Sequence, residues 1–251
     1  MNLDLSGKRA LVTGGFDGVG RALVKALVQQ GVSVAATYSQ ESNVTASFIA
    51  ELEQGQNGSF ALQADVSDAQ SVADMAAHVG ERFGQIDILV NNASIMHHAP
   101  FQALTPLAWQ RVLDTNLTGV FLVTQAVLDM VTAGGAIINV SACLAAVGMR
   151  GKSHYTAAKA GVIGLTRSLC KEVGAKGIRV NVVAPGVIET EELVDLSPEQ
   201  RKRYAYLAAI GRLGQPEEVA ATVLFLASDL ASFITGATIA IDGGVGGIGA
   251  F

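Results

Sequence analysis

Two hydrophobic patterns alternate along the chain. Short, nearly continuous apolar runs occur at Lys8–Thr13, Val32–Thr37, Ser59–Gln63, Ile86–Asn91, Ala136–Val140, Ile178–Val183 and Thr238–Ile241. These read as strands. Between them lie longer stretches with helical spacing, as Leu23, Leu27 and Val28 show within Gly18–Gln30. The spacing predicts further helices over Ser42–Glu53, Ser67–Phe83, Thr105–Val131, Ser153–Ala175, Ser197–Leu207 and Pro216–Ser228. Asp68 and Pro106 suit first turns. The segment at about 187–208, with its own helix, reads as a flap.

Strand and helix in regular alternation require parallel strands joined by crossover helices. Runs such as Ala136-Ile-Ile-Asn-Val140 do not alternate with polar residues. They therefore predict strands buried on both faces. The expected fold is α/β: one doubly wound parallel sheet of Rossmann type, seven strands with helices on both faces. A single domain over residues 1–251 is expected.

Composition agrees with a large core. Half of the 251 residues are hydrophobic and 16% are charged. The net charge is −5 and no basic run occurs, which argues against a nucleic-acid partner. Cys143 and Cys170 form no CxxC pair and no metal-like spacing with histidine, so a reduced, cytoplasmic setting is expected. The amino-terminal MNLDLSGKRALVTGG does not have the plan of a signal peptide. Met130–Met149 is uncharged and long enough to raise a membrane span. Its Gly134, Gly135, Asn139, Ser141 and Gly148 point instead to a buried strand and loop, and no membrane partner is expected.

Ligands of doubly wound sheets sit at the carboxyl ends of the strands. After the first strand comes Thr13-Gly-Gly-Phe-Asp-Gly-Val-Gly20, a turn that lets a phosphate approach backbone N–H groups at a helix start. After the third comes Ala64-Asp-Val66, where Asp65 is either an acceptor for an adenine amino group or a helix cap. After the fourth comes Asn91-Asn-Ala-Ser94, small enough for a ribose to pass. Asn116 stands inside a helical pattern. Pro185-Gly186-Val-Ile-Glu-Thr190 follows the sixth strand and leads into the flap. Tyr155 and Lys159 are four apart and share one helix face. A free phenol titrates near about 10, and a neighbouring cation lowers that value, so the pair is a candidate acid/base unit.

Taken together, in this order and spacing, these segments resemble the short-chain dehydrogenase/reductase family. The similarity runs from about Leu5 to Gly244 and includes the late segments GRLGQPEEVA and FLASDLASFITGATIAIDGG. Within the family it is similar to 3-oxoacyl-carrier-protein reductases and their relatives on small ketones, alcohols and polyketides. The resemblance implies hydride transfer between a nicotinamide and a carbonyl carbon. It implies that Tyr155 exchanges the proton, Lys159 lowers its pKa and bonds the nicotinamide ribose, and Asn116 holds a linking water. It implies a dinucleotide bed of Gly14, Phe16, Asp17, Gly18, Val19 and Gly20, with Asp65 and Val66 at adenine. Asn92, Ala93 and Ser94 would line the ribose, with Pro185, Gly186, Ile188 and Thr190 at the carboxamide. A homotetramer is also implied, with helices 105–131 and 153–175 at one interface.

Two positions depart from the family pattern. The family's catalytic serine is expected thirteen residues before the tyrosine, where this chain has Ala142. Ser141 lies one residue earlier, and in a strand neighbouring residues face opposite sides. Three explanations stand open: an engineered Ser→Ala variant, a natural enzyme using Ser141, Cys143, His154 or a substrate hydroxyl, or a weak enzyme kept for binding. Secondly, the end of the second strand, Thr37-Tyr38-Ser39, carries no acid for an adenosine 2′-hydroxyl. This favours NADP(H), with NAD(H) as the alternative. Asp17, where a basic residue is frequent, opposes a 2′-phosphate if turned inward, while Thr37, Tyr38 and Ser39 offer hydroxyl donors.

Ser141, Ala142, Met149, Tyr155 and Val187 are the expected substrate contacts, with Ile95, Met96, His97, Leu144 and Leu193 as further walls. They suggest an apolar or aromatic carbonyl or alcohol. His97-His98 lacks a third ligand, so no metal is expected. Asp129–Gly135 offers no basic residue for an acidic carrier protein and Lys176 alone is a thin patch, so a free small molecule is the expected substrate. The competing possibility is a nucleotide-binding subunit without catalysis, which would have no need of Tyr155, Lys159 and Asn116.

Overall fold

The computed structural model describes residues 3–41, 43–55 and 57–245. Seven strands form one sheet: β1 (Arg9–Thr13), β2 (Ser33–Tyr38), β3 (Phe60–Gln63), β4 (Ile86–Asn91), β5 (Val131–Val140), β6 (Arg179–Pro185) and β7 (Thr238–Ile241). Their order is β3-β2-β1-β4-β5-β6-β7, and every pairing is parallel. The chain builds outward from β1 to β3, then returns to pair β4 with β1. That reversal opens the crevice where such sheets take their ligands.

The helices are α1 (Gly18–Gln29), α2 (Asn43–Gln54), α3 (Ala69–Phe83), α4 (Pro106–Leu113), α5 (Gly119–Val127), α6 (Leu144–Val147), α7 (Ser153–Val173), α8 (Pro198–Leu207) and α9 (Pro216–Ala227). Consecutive strand residues enter opposite cores, which is why the runs are continuous. Ala10 and Val12 pack with Leu23 and Leu27 of α1 and Val223 of α9. Leu11 packs on the other face with Met75 of α3, Val123 of α5 and Val173 of α7.

The helix expected over Thr105–Val131 is corrected in two ways. It is broken at Asp114–Thr118 by a π-helical turn, and the chain joins β5 at Val131, not Ala136. Asn116 explains the break: its amide donates to the Val112 carbonyl four residues back, at 2.8 Å. A side chain thus takes an acceptor that the backbone ladder would use. The early part of β5 pairs Val131 with Ile86 and then shifts register around Gly134 and Gly135, so it lacks an apolar run. The short helix α6 is also unforeseen; Gly148, at φ +71°, ends it. Of the glycine-rich tail Gly243–Phe251, residues 246–251 lie outside the described residues. Among the described residues no helix is long and apolar enough to cross a membrane.

Candidate active site

The β1–α1 turn is closed by backbone approaches that exclude side chains. A β-carbon on Gly20 would stand 1.9 Å from the Gly14 carbonyl oxygen, and one on Gly14 (φ +62°) 2.8 Å from Ala93 Cα. Gly14 N–H donates to Thr37 Oγ1 (3.2 Å) and Gly15 N–H to the Thr37 carbonyl (2.9 Å). Asn92 Nδ2 donates to the Gly14 carbonyl (2.7 Å), while Asn92 and Ala93 N–H donate to Thr13 Oγ1 (3.0 and 3.2 Å). The loops after β1, β2 and β4 therefore form one backbone-lined cradle at the amino end of α1. Asp17 precedes that helix and its side chain makes no capping bond. A turn closed by glycine backbone at the start of a helix fits the diphosphate of a dinucleotide.

Several predicted contacts take other roles. Thr37 is buried, and its hydroxyl oxygen accepts from Gly14 N–H. The Phe16 ring packs edge-on against Tyr38 and Phe48, with centroids 5.0 and 5.2 Å away. Only its backbone is left for a ligand. Ser39 is exposed beyond Tyr38. Asp65 Oδ1 accepts from both the N–H and the hydroxyl of Ser67 (2.9 and 2.6 Å), and Asp68 caps α3. Val66 is pressed against Gly119, where a β-carbon would stand 2.9 Å from Val66 Cγ2.

Tyr155 and Lys159 lie on α7 beside the carboxyl end of β5, and both are buried. Lys159 Nζ donates to the Val140 carbonyl at 2.9 Å and lies 5.7 Å from the Tyr155 ring centroid. Burial pushes the Lys159 ammonium down from 10.5 to about 8. Asn116 is fully buried and its side chain is saturated. It accepts from Ser94 Oγ and Ile95 N–H and donates to the Ile95 and Val112 carbonyls. All four of its hydrogen-bonding positions are filled, which leaves no open position on the side chain for a linking water.

The two residues at the departure point separate clearly. Ser141 is buried and its hydroxyl donates to the Lys159 carbonyl at 2.9 Å. It continues the row of Ile137 and Asn139 on the α7 side; Asn139 Nδ2 donates to Thr166 Oγ1 of that helix. Serving as a substrate donor would cost Ser141 that bond. Ala142 lies past the strand end and packs with Val112 and Tyr155, flanked by Ile95 and Leu144. Cys143 faces the Asp242 side; burial first, and then Asp242, pushes its thiol up to about 11. His154 is fully buried with neither ring nitrogen partnered.

Met96 and Met149 stay about half exposed at the rim, at 47% and 39%. Val187 lines a cavity of about 330 Å³ with Tyr204, Ala208, Ile210 and Asp242, under α8 and beside the end of β7. Gly186 comes within van der Waals limits of Asp242: an added β-carbon would stand 2.8 Å from Asp242 Cα. Pro185 ends β6 and Ile188 bridges to Gly214. His98 covers Gly151, and His97 is exposed. Among the described residues no group of three or more His, Cys, Asp or Glu could hold a metal.

Sequence inspection missed three features. One is a buried polar chain in which Asn91 donates to Thr124 Oγ1 (3.0 Å) and to Asn139 Oδ1 (2.8 Å). Another is Thr13 as the staple between loops. The third is Glu191, whose Oε2 accepts from Gly18 N–H at 3.1 Å. Its only signal was its place just after Pro185–Thr190.

Residues 14–246 match the profile of the family described as "Enoyl-(Acyl carrier protein) reductase". The 3-oxoacyl-[acyl-carrier-protein] reductase FabG of Staphylococcus aureus is 41% identical over 240 residues, 95% of this chain and 98% of that one. The 3-oxoacyl-[acyl-carrier-protein] reductase of Synechocystis is 41% identical over 244 residues, 96% and 98% of the two chains. A short-chain dehydrogenase/reductase from Serratia marcescens superposes with a TM-score of 0.91 at 33% identity, covering 96% of this chain and 99% of that one. A blue fluorescent protein from a metagenomic library, solved in complex with NADPH, gives 0.91 at 34% identity, covering 98% and 99%. The chain is an oxidoreductase and belongs to the short-chain dehydrogenase/reductase family.

Proposed function

We propose that this chain is an NADP(H)-dependent reductase or dehydrogenase of a small, apolar or aromatic ketone/alcohol pair. The observation that carries the reading is the buried Tyr155–Lys159 pair at the end of β5. When bound, the nicotinamide supplies or takes the hydride at the carbonyl carbon. In reduction Tyr155 Oη releases its proton to the carbonyl oxygen as that oxygen gains charge. Lys159 stabilises the phenolate left behind. The glycine cradle would hold the diphosphate, and Asn92, Ala93 and Ser94 the ribose. Pro185, Gly186, Ile188 and Thr190 would front the carboxamide, and Asp65 and Val66 the adenine.

Ala142 occupies the place of a serine donor, which leaves Tyr155 as the donor on that side. Losing one positioned donor costs on the order of 10²–10³ in rate, so turnover of simple ketones should be slow. For the cofactor, β2 ends without an acid, and Tyr38 and Ser39 supply hydroxyls beside the glycine loop. This supports NADP(H) over NAD(H). The exposed Phe121, Phe225 and Phe233, at 44%, 37% and 103%, support self-association, and the family resemblance implies a homotetramer.

Lys176 supports a free substrate over a carrier-bound one, because Asp129 approaches it at 3.8 Å and offsets its charge. The 41% identity to proteins named 3-oxoacyl-[acyl-carrier-protein] reductases favours a second reading, that of a carrier-protein reductase. Initial rates of NADPH oxidation with free aryl and alkyl ketones, a 3-oxoacyl thioester and a 3-oxoacyl-carrier protein separate the two. Higher kcat/KM on the carrier-bound substrate overturns the free-substrate reading. Tighter NADH than NADPH overturns the cofactor preference. Cofactor binding without any turnover, with Tyr155→Phe silent, supports a non-catalytic subunit.

A further inference from the structure

The amino end of α1 receives an anion from the chain itself. The orphan N–H groups of a first helical turn seek acceptors, and the helix dipole favours a negative one. Asp17 makes no side-chain capping bond. Glu191 Oε2 instead accepts from Gly18 N–H. Glu191 opens the 3₁₀ turn Glu191–Leu193 within the flap. The residue before it is as close: a β-carbon on Gly18 would stand 3.0 Å from Thr190 Cγ2.

We propose that Glu191 is a latch, whose carboxylate holds the cofactor-free flap on α1 in the seat that a dinucleotide diphosphate needs. Binding then exchanges an internal anion for an external one and frees the Thr190–Leu193 segment from α1. The root of the flap stays fixed. Glu189 N–H donates to the Gly214 carbonyl (2.8 Å), Gly214 N–H donates to the Val187 carbonyl (3.0 Å), and the Glu189 carboxylate pairs with Arg201. Arg201 also donates to the Leu193 carbonyl at 3.2 Å, so the part that moves is the short turn between Glu189 and Leu193.

Like charge favours the exchange. Burial, and then the Glu191 carboxylate, already raise the Asp17 carboxyl above its ordinary range. The cations in the same open cleft are engaged elsewhere. Lys25 pairs with Glu51 at 3.1 Å, and Arg21 lies 4.0 Å from the same carboxylate. A diphosphate and the Glu191 carboxylate cannot share one set of donors without further repulsion.

The proposal rests on the dinucleotide reading of the cradle but not on the substrate. The test is the dissociation constant of NADPH, read by its fluorescence, for the wild type and Glu191→Gln. Glutamine keeps an acceptor and removes the charge. NADPH should bind about two- to fivefold more tightly to the variant, the size of a charge effect at a helix terminus. Inorganic pyrophosphate, measured by competition, should gain equally, and adenosine should not change. Amide hydrogen exchange across Thr190–Leu193 should be faster in cofactor-free Glu191→Gln than in wild type, and equal at saturating NADPH. Unchanged or weaker NADPH binding in the variant, or an equal gain for adenosine, overturns the latch alone. A wild type that binds neither NADPH nor NADH overturns the dinucleotide reading as well.

Discussion

Replacing Ala142 by serine restores a hydroxyl beside Tyr155, and the structure sets the size of the effect. Ala142 is 8% exposed and packs among Val112, Tyr155, Ile95 and Leu144. Its β-carbon is already in place, so the change adds a single oxygen. In the reacting complex that oxygen donates to the substrate oxygen as charge develops. One such donor contributes about 3–4 kcal/mol, or on the order of 10²–10³ in kcat. In the ligand-free protein the same hydroxyl sits among apolar groups, at a cost of about 1–3 kcal/mol if unpartnered. Ala142→Ser should therefore raise kcat/KM for a reducible ketone about a hundredfold and lower the unfolding free energy. Ser141→Ala is the control. It removes the bond to the Lys159 carbonyl, worth about 1 kcal/mol of stability, and should change kcat little. Initial rates of NADPH oxidation and urea midpoints measure both quantities. An unchanged or slower Ala142→Ser would refute the assignment, and a hundredfold loss in Ser141→Ala would make Ser141 the donor.

Three further perturbations follow from the same geometry. Gly20→Ala places a β-carbon 1.9 Å from the Gly14 carbonyl and 2.7 Å from Asn92 Nδ2; fluorescence titration should show cofactor binding weakened at least about tenfold, with overpacking costing about 1–3 kcal/mol in stability. Lys159 is depressed from 10.5 to about 8 by burial, so the unfolded chain binds the extra proton between those values and stability rises with pH across that window. The gap corresponds to on the order of 3 kcal/mol, offset in part by the lost bond to the Val140 carbonyl. Lys159→Met should accordingly be more stable than wild type at pH 7 by thermal unfolding, yet nearly inactive; a destabilised variant would refute the burial cost. His154 is lowered from 6.5 by burial first, then by Lys152 and His97. The unfolded chain then gains the proton first and stability falls as pH drops below about 6.5. Denaturant midpoints at pH 7.5 and 5.5 should show a smaller difference in His154→Phe than in wild type.

Legibility followed physical range. Strands buried on both faces announce themselves as continuous apolar runs, and alternation with helical spacing leaves parallel pairing as the economical solution. That is why the seven-stranded sheet and its ligand edge could be read from the chain alone. The break after Leu113 could not. It depends on Asn116 reaching back to Val112 while Ile95, from another loop, fills its other positions. The start of β5 was hidden for a related reason: Val131 pairs with Ile86 through a register shift, and Thr132 bonds Asp87 Oδ1. Those pairings leave no periodic trace.

The same division runs through the site. Strand alternation alone said that Ser141 and its neighbour at 142 cannot face the same way, and Ser141 indeed continues the row of Ile137 and Asn139 toward α7. What alternation alone does not supply is how far β6 still holds the chain beyond Val140. Ala142 turns over the end of β5 to meet Tyr155 only because Cys143 N–H is held by the Pro185 carbonyl at 2.8 Å and Ser141 N–H by the Val183 carbonyl at 2.8 Å. β6 thus aims the residue that β5 carries. On the proposed reading, a single methyl group at that position leaves the backbone, Tyr155 and Lys159 in place and withholds one donor. Restoring that hydroxyl therefore tests the chemistry without rebuilding the site.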